Sequence, residues 1–407
     1  MTDRIDPDSM TPHPADDPRK RSIVRLKSGR GKRVGEGMPI LYSNSIDMDE
    51  RTKSLDPGSI VTVMTGDGDA VGVATFNPRS LASLRILDWE SNTVIDDDFL
   101  MRRIARALAI RDACISDPFY RLVNGEADGL PGLVIDRFKG KVVIQAMTAG
   151  MERLLPVIMA VLQADAVVLR NNHRFRDTEG LPKYVHLAAG SIDQPVEILE
   201  NGFRFRVDLM REEGDIWSFD QRDDRKFIAG LKFHGKALDL FAGAGGLAIA
   251  AANSADRVTA ICANETDLSL ALHNARINKA IDRSVISSGN PTAELIERSG
   301  LSERYALVTI TPPPLVLTRK EADRGELEYR ELARLAGQLI SAGGYLYLAS
   351  RSPVIGIDRL VAEVAAGLNA AGRSCRLIRM AGPSPDHPAH TLLTDSSPLK
   401  SVVFALD

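Results

Sequence analysis

Cysteine is scarce: the chain of 407 residues carries three, Cys114, Cys262 and Cys375. That number and their scatter exclude a disulfide framework and a paired CxxC metal motif, and they fit a reducing compartment. Long apolar runs are missing as well, since none reaches the roughly 18 to 20 residues that a membrane helix needs. The opening stretch from Met1 to Lys20 is polar and rich in Pro and Asp, unlike the charged-then-apolar pattern of a secretory signal. A cytoplasmic location without a membrane partner is the expectation. A strong charge of either sign is also lacking, the net value being -3. Nothing therefore draws the whole molecule to nucleic acid, and any affinity for RNA must come from a local patch, because phosphate contacts supply most of the sequence-independent binding energy.

The length favours two or three domains, and 44% hydrophobic with 26% charged residues is the balance of a globular protein. One local patch stands out. PRKRSIVRLKSGRGKRV carries Arg19, Lys20, Arg21, Arg25, Lys27, Arg30, Lys32 and Arg33 with no acidic residue. Arg25, Lys27, Arg30, Lys32 and Arg33 are the candidates for holding RNA, a solvated basic tail being the alternative.

Along the chain, residues 1 to 20 lack periodicity and read as a disordered arm. From 21 to 95, short alternating segments (SIVRLKSG, SIVTVMTGDGDAVGVATFN, SLRILDW) broken by Gly and Asp-Gly turns predict a small β-barrel-like domain. A helix capped by Asp follows over DDDFLMRRIARALAIRDACI. Two strands around a Lys-Gly turn (GLVIDRFKGKVVIQAM), an apolar helix over about 150–163 and the strand AVVLRN complete an α+β middle domain over 98–195. From Pro195 a hairpin is expected, with EILENGFRFRVDL and GDIWSFD as its arms around a Glu-Glu-Gly turn. Strands and helices then alternate through ALDLFA, RVTAICAN, DLSLALHNARINKA, SVISS, YALVTIT, a helix over about 326–342 and GGYLYLAS. This pattern predicts βαβ units, a parallel sheet and a Rossmann-like domain over 196–407. The fold class is α/β, and ligands in such sheets bind at the carboxyl ends of the strands.

In ALDLFAGAGGLAIAAA an apolar strand runs into a turn containing Gly243, Gly245 and Gly246 and then a helix. Glycine lets the backbone turn tightly and lie against a ligand. Asp239, near the strand's end, is placed to hold a cofactor's amino group. Strand–helix packing alone is the competing reading of such a loop.

Several fragments stand in a particular order: RLKSGRGKRV, the YSN of Tyr42 to Asn44, YRLVNGEADGLPGLVIDRF, SFDQRDDR, LDLFAGAGG, HNARINK, TPPP, Tyr329 with AGQLISAGGYL, and PDHPAH. Together they resemble the bacterial methyltransferases that modify carbon 5 of a cytosine in 23S ribosomal RNA and that carry an N-terminal PUA domain. The resemblance runs from about Ser22 to the end of the chain. It implies S-adenosylmethionine as cofactor, ribosomal RNA as partner and an RNA-binding PUA-like domain over 21–95; self-association into a homodimer is left open. It also implies a cofactor site at Asp220, Arg222, Asp239, Phe241, Gly243, Gly245, Cys262 and Asn290.

Carbon 5 of cytosine becomes nucleophilic only after a cysteine thiolate has added to the neighbouring ring carbon, so the family's reaction requires a thiolate beside a flipped base. The positions that resemble the family's catalytic ones are altered. Arg351 stands at the nucleophile, in Ala-Ser-Arg-Ser, and Thr311 with Pro312 stands where the family has an Asp-Pro-Pro loop. Cys262 and Asn290 stand where the family has acids for ribose and adenine. Arg351 is expected to grip a phosphate or a base, or else to form a salt bridge, and the Asp386-His387 turn to be stabilised by its own Asp side chain. The resemblance implies a methyltransferase; the alternatives are an RNA-binding or ribosome-associated protein that has lost the chemistry on the same scaffold, and a protein-interaction scaffold.

Overall fold

The structure is a computed structural model that describes residues 16–29, 36–193, 195–393 and 396–407. Alternating apolar residues build a first, five-stranded sheet from β1 (Ser22–Arg25), β2 (Ile40–Leu41), β3 (Ser59–Met64), β4 (Ala70–Phe76) and β5 (Leu84–Asp88), in the order β1-β3-β4-β5-β2. Val24, Val61, Val63, Ala74, Phe76 and Ile86 point to one buried cluster, as the period of two requires. Most of the expected disordered arm lies outside the described residues, but its last five positions do not. Asp16 accepts a hydrogen bond from Arg21 Nε at 2.8 Å and another from the Ile95 amide at 2.8 Å, so this part of the arm is tied down rather than loose.

Helix α1 (Asp97–Cys114) starts on Asp96, whose side chain accepts from the Phe99 amide, as the run of Asp residues predicts. Strands β6 (Phe119–Asn124), β7 (Leu133–Phe138), β8 (Lys141–Ala146), β9 (Ala166–Asn171) and β10 (Tyr184–Gly190) form a second sheet in the order β10-β9-β8-β7-β6, with helix α2 (Ala149–Leu162) between β8 and β9. Strand β10 has no counterpart among the elements expected from the sequence. Residues 386–396, late in the chain, also belong to this first compact unit. Asp386 holds its own turn and the sheet together: its Oδ1 lies 2.9 Å from His387 Nδ1, its Oδ2 accepts from the Arg121 amide at 3.1 Å, and its carbonyl accepts from the fully buried Arg111, which itself chelates Asp128 at 2.6 and 2.8 Å.

The second compact unit opens with a hairpin, β11 (Val196–Glu200) and β12 (Phe203–Val207). Its turn is Asn201-Gly202, with φ of 53° and 82°, the left-handed pair that a two-residue hairpin turn demands. The expected second arm, GDIWSFD, is not a strand; Trp217 packs its ring 4.4 Å from that of Phe205 and donates from Nε1 to Glu200 at 3.0 Å, so these apolar residues are buried without forming a ladder. Seven strands follow in the order β15-β14-β13-β16-β17-β19-β18: β13 (Lys236–Leu240), β14 (Arg257–Cys262), β15 (Ser284–Ser288), β16 (Tyr305–Ile310), β17 (Ile340–Ser350), β18 (Cys375–Ala381) and β19 (Lys400–Leu406). All neighbours pair in parallel except β19, which runs antiparallel to both β17 and β18.

Helices α3 (Arg222–Gly230), α4 (Gly246–Ala251), α5 (Glu265–Ile277), α6 (Pro291–Ser299), α7 (Ala322–Leu339) and α8 (Ile357–Ala370) lie along the chain of this unit. Helix α7 ends three residues earlier than its apolar pattern predicts, because Ile340 already pairs with Tyr305 as the first residue of β17. Strand order reverses between β13 and β16, which puts the natural ligand crevice at their carboxyl ends.

Candidate active site at the glycine loop

Leu238 and Leu240 are buried in the core of the sheet, and Asp239 lies on the opposite face of β13. Its Oδ1 accepts from Thr309 Oγ1 of the adjacent strand at 2.6 Å, while Oδ2 is buried with no hydrogen-bond partner among the described residues. Burial pushes this carboxyl up to about 7. Phe241 turns the chain with a φ of +63°, a strained setting for an aromatic residue, and packs its side chain against the core. Gly243 (φ +51°) has open space where a Cβ would stand; at Gly245 (φ +85°) a Cβ would press on Ala271 at 3.3 Å, and at Gly246 on Arg225 at 2.9 Å and Trp217 at 3.1 Å. Glycine is therefore favoured by packing at 246 and by the left-handed backbone at 245, whereas Gly243 presents bare backbone, as a ligand-facing position does.

The SFDQRDDR signature is engaged within the protein. Both oxygens of Asp220 accept from Arg351, Oδ2 from Nε and Oδ1 from Nη2, each at 2.8 Å. Gln221 donates to the Tyr347 hydroxyl at 3.2 Å, which donates in turn to buried Asp224 at 2.8 Å. Arg225 chelates Glu200 of the hairpin at 2.6 and 3.0 Å, and Arg222 approaches the same carboxylate at 3.6 Å while lying over the Phe219 ring. The expectation that Arg351 reaches out to a phosphate thus gives way to a two-pronged ion pair with Asp220. Four-fifths of its side chain is covered, and a guanidinium already matched by a carboxylate has little to offer a second anion.

The remaining expected positions divide between loop and cap. Cys262 is fully buried and its thiol donates to the Gly243 carbonyl at 3.4 Å. Burial and then the Asp239, Asp267 and Glu265 carboxylates push it up to about 12, so no thiolate forms there near neutrality. Cys375 opens β18 at the end of the sheet away from the crevice, and burial raises its pKa as well; Cys114 ends α1 in the other unit. Asn290 spends its side-chain oxygen as the cap of α6, accepting from the Thr292 and Ala293 amides at 3.1 Å. Thr311 donates to the Phe241 carbonyl at 3.2 Å, and Pro312 is buried. Arg25 and Lys27 are exposed on the first sheet, while Arg30, Lys32 and Arg33 lie outside the described residues.

Two side chains of the site escape a reading of the sequence. Thr309 is the partner of Asp239, a contact that only the pairing of β13 with β16 creates. Asn274, fully buried on α5, donates to the carbonyl of Ala244 inside the glycine loop at 3.0 Å. HNARINK is the available signal, since Asn274 and Asn278 fall on one helical face. Bare backbone at Gly243 and the unmatched Asp239 oxygen fit the amino-acid end of a sulfonium nucleoside.

Residues 24–89 match a PUA-like domain, and residues 114–393 match the S-adenosylmethionine-dependent methyltransferase family. The ribosomal RNA large subunit methyltransferase I of Shewanella frigidimarina is 30% identical over 394 residues, covering 93% of this chain and 98% of that protein. The ribosomal RNA large subunit methyltransferase of Deinococcus radiodurans is 28% identical over 414 residues, covering 95% and 98% respectively. A crystallised methyltransferase complexed with SAH superposes with a TM-score of 0.77 over 94% of this chain and 99% of its own, at 15% identity, which is a likeness of fold.

Proposed function

The chain belongs to the S-adenosylmethionine-dependent ribosomal RNA large subunit methyltransferase family, and from that premise we propose that it is a cytoplasmic, ribosomal-RNA-binding member that holds S-adenosylmethionine at the glycine loop but does not methylate carbon 5 of cytosine. The ion pair between Arg351 and Asp220 carries this reading. It fills the position of the nucleophile with a group that cannot lose its proton in a protein, and it occupies an acidic side chain that the resemblance assigns to the cofactor. No described cysteine replaces the missing thiolate: Cys262 is held neutral by burial, and Cys375 stands at the far end of the sheet.

S-adenosylmethionine, when bound, supplies an electrophilic methyl group. The residues that would hold its amino-acid end are Asp239 and the backbone around Gly243. An ionised Asp239 pairs with the ligand's ammonium, which offsets the cost of burying the charge. Cys262 and Asn290 offer the ribose and adenine no carboxylate, so affinity is expected in the weak range. Residues 21–95 act as the RNA-docking module, 98–195 as the middle domain and 196–407, apart from 209–214 and 386–396, as the methyltransferase domain.

Methylation of carbon 5 is the second reading, favoured by the intact glycine loop. One experiment separates the two. Tritium transfer from labelled S-adenosylmethionine to 23S ribosomal RNA, with nucleoside analysis of the product, is expected to yield no 5-methylcytosine, while calorimetry detects cofactor binding and a filter assay at low salt detects RNA. Formation of 5-methylcytosine by the wild-type chain would overturn the proposal, and absence of both ligands would remove the binding part of it.

A further inference from the structure

Helix α5 meets the edge of the hairpin through two asparagines one turn apart. Asn274 accepts from the Arg206 amide at 2.6 Å through Oδ1 and donates to the Arg206 carbonyl at 3.2 Å through Nδ2. Asn278 repeats the pattern two strand residues away, accepting from the Arg204 amide at 3.1 Å and donating to the Arg204 carbonyl at 2.6 Å. The match is geometric: a step of four along a helix rises about 6 Å, and a step of two along a strand about 6.7 Å. Each carboxamide thereby acts as a missing strand residue and pairs the open edge of β12.

The two differ in one respect. The same Nδ2 of Asn274 that reaches Arg206 also donates to the Ala244 carbonyl at 3.0 Å, between the two left-handed glycines of the loop, whereas the side chain of Asn278 bonds the hairpin and the Asn274 carbonyl of its own helix. The hairpin is in turn anchored on the far side by Glu200, which holds Arg225 and Trp217, the side chains that a Cβ at Gly246 would strike. The loop is thus gripped at residue 244 from one side and abutted at residue 246 from the other, with the hairpin as the common frame.

We infer that Asn274 is a positioning residue for the glycine loop, fixing the Ala244 carbonyl so that the bare backbone at Gly243 faces the cofactor, and that Asn278 serves only to dock the hairpin. The first part rests on the proposed binding of S-adenosylmethionine; the effect on the loop does not. An aspartate at either position keeps the acceptor and loses the donor. Asn274→Asp and Asn278→Asp should therefore both weaken the hairpin, the first more because its side chain is fully buried, and only the first should release the loop.

Amide hydrogen exchange of residues 242–246 in the ligand-free protein, with calorimetry of S-adenosylmethionine on the same samples, tests this. Exchange in the loop should speed up about tenfold or more in Asn274→Asp, the scale of one lost buried hydrogen bond, and stay within about twofold of wild type in Asn278→Asp. Cofactor affinity should fall in step with the loop. Asn274→Ser, which keeps a donor but is too short to bridge, gives the same reading if the aspartate variant does not fold. Equal exchange of the loop in the two aspartate variants would overturn the inference. A loop that loosens only in Asn274→Asp, in a protein whose wild type binds no cofactor, supports the positioning role and rejects the cofactor reading instead.

Discussion

Asp239 and Thr309 show how a single carboxyl sets a pH response. The unfolded group ionises near 3.8, while burial holds the folded one protonated until about 7. Between those values the unfolded chain carries fewer protons, so stability is complete below pH 4 and declines as pH rises through 7, by roughly 4 kcal/mol at most. Asn at this position removes the titration. Urea unfolding of the second unit, followed by Trp217 fluorescence in a Trp89→Phe background, should show Asp239→Asn gaining on its parent from pH 5 to pH 8; parallel profiles would sink the assignment. Arg351 makes the opposite kind of statement. With Asp220 mostly covered, Arg351→Ala removes a largely buried two-pronged ion pair and should cost about 3 kcal/mol. The double variant with Asp220→Ala should cost clearly less than the two single changes added together, which a double-mutant cycle measures. The thiols order themselves the same way: iodoacetamide at pH 8 should label exposed Cys114 and spare Cys262, whose proton is held by burial, as peptide mass spectrometry would report.

At the level of elements, what the sequence discloses depends on whether the signal is local. Helix α1 and its Asp cap, the turn at Lys139-Gly140 and the strand–loop–helix at Gly243 are each written within about twenty neighbouring residues, and each appears where the pattern places it. Glu-Glu-Gly is the wrong turn for the hairpin, because Asn201-Gly202, the stronger chemistry for two left-handed residues, lies inside the expected first arm. Trp217 and Phe219 look like strand residues and are buried by a hairpin and an arginine instead. The roles of Arg351, Asn274 and Thr309 are illegible for another reason: their partners Asp220, Ala244 and Asp239 lie 131, 30 and 70 residues away, and no periodicity reports such pairs. The true turn also makes a prediction. Gly202 has a φ of +82° and open space where a Cβ would stand, so Gly202→Ala should cost only the backbone strain, about 1 kcal/mol. Because β12 is bonded to α5, that loss should appear in the second unit, as a lower urea midpoint reported by Trp217.

Across the whole molecule, a net charge of -3 means that RNA must be attracted by placement of charge and not by its sum. Of the five candidate cations, Arg25 and Lys27 stand exposed on and beside β1, next to a sheet that matches a PUA-like domain. Each cation that neutralises a phosphate contributes roughly 0.7 to 0.9 to the slope of log affinity against log salt. If Arg25 and Lys27 both touch phosphate, Arg25→Ala with Lys27→Ala should flatten that slope by about 1.6 and weaken binding most at low salt. Adding Arg30→Ala, Lys32→Ala and Arg33→Ala should take the total to about 4, whereas Arg324→Ala, an exposed cation on α7 paired with Glu328, should leave it unchanged. Filter binding of a 23S ribosomal RNA fragment over a salt series measures all three. A slope that responds to Arg324 and ignores the first sheet would move the RNA surface to the methyltransferase sheet; a slope near zero in the wild type would mean that phosphate plays no part in recognition.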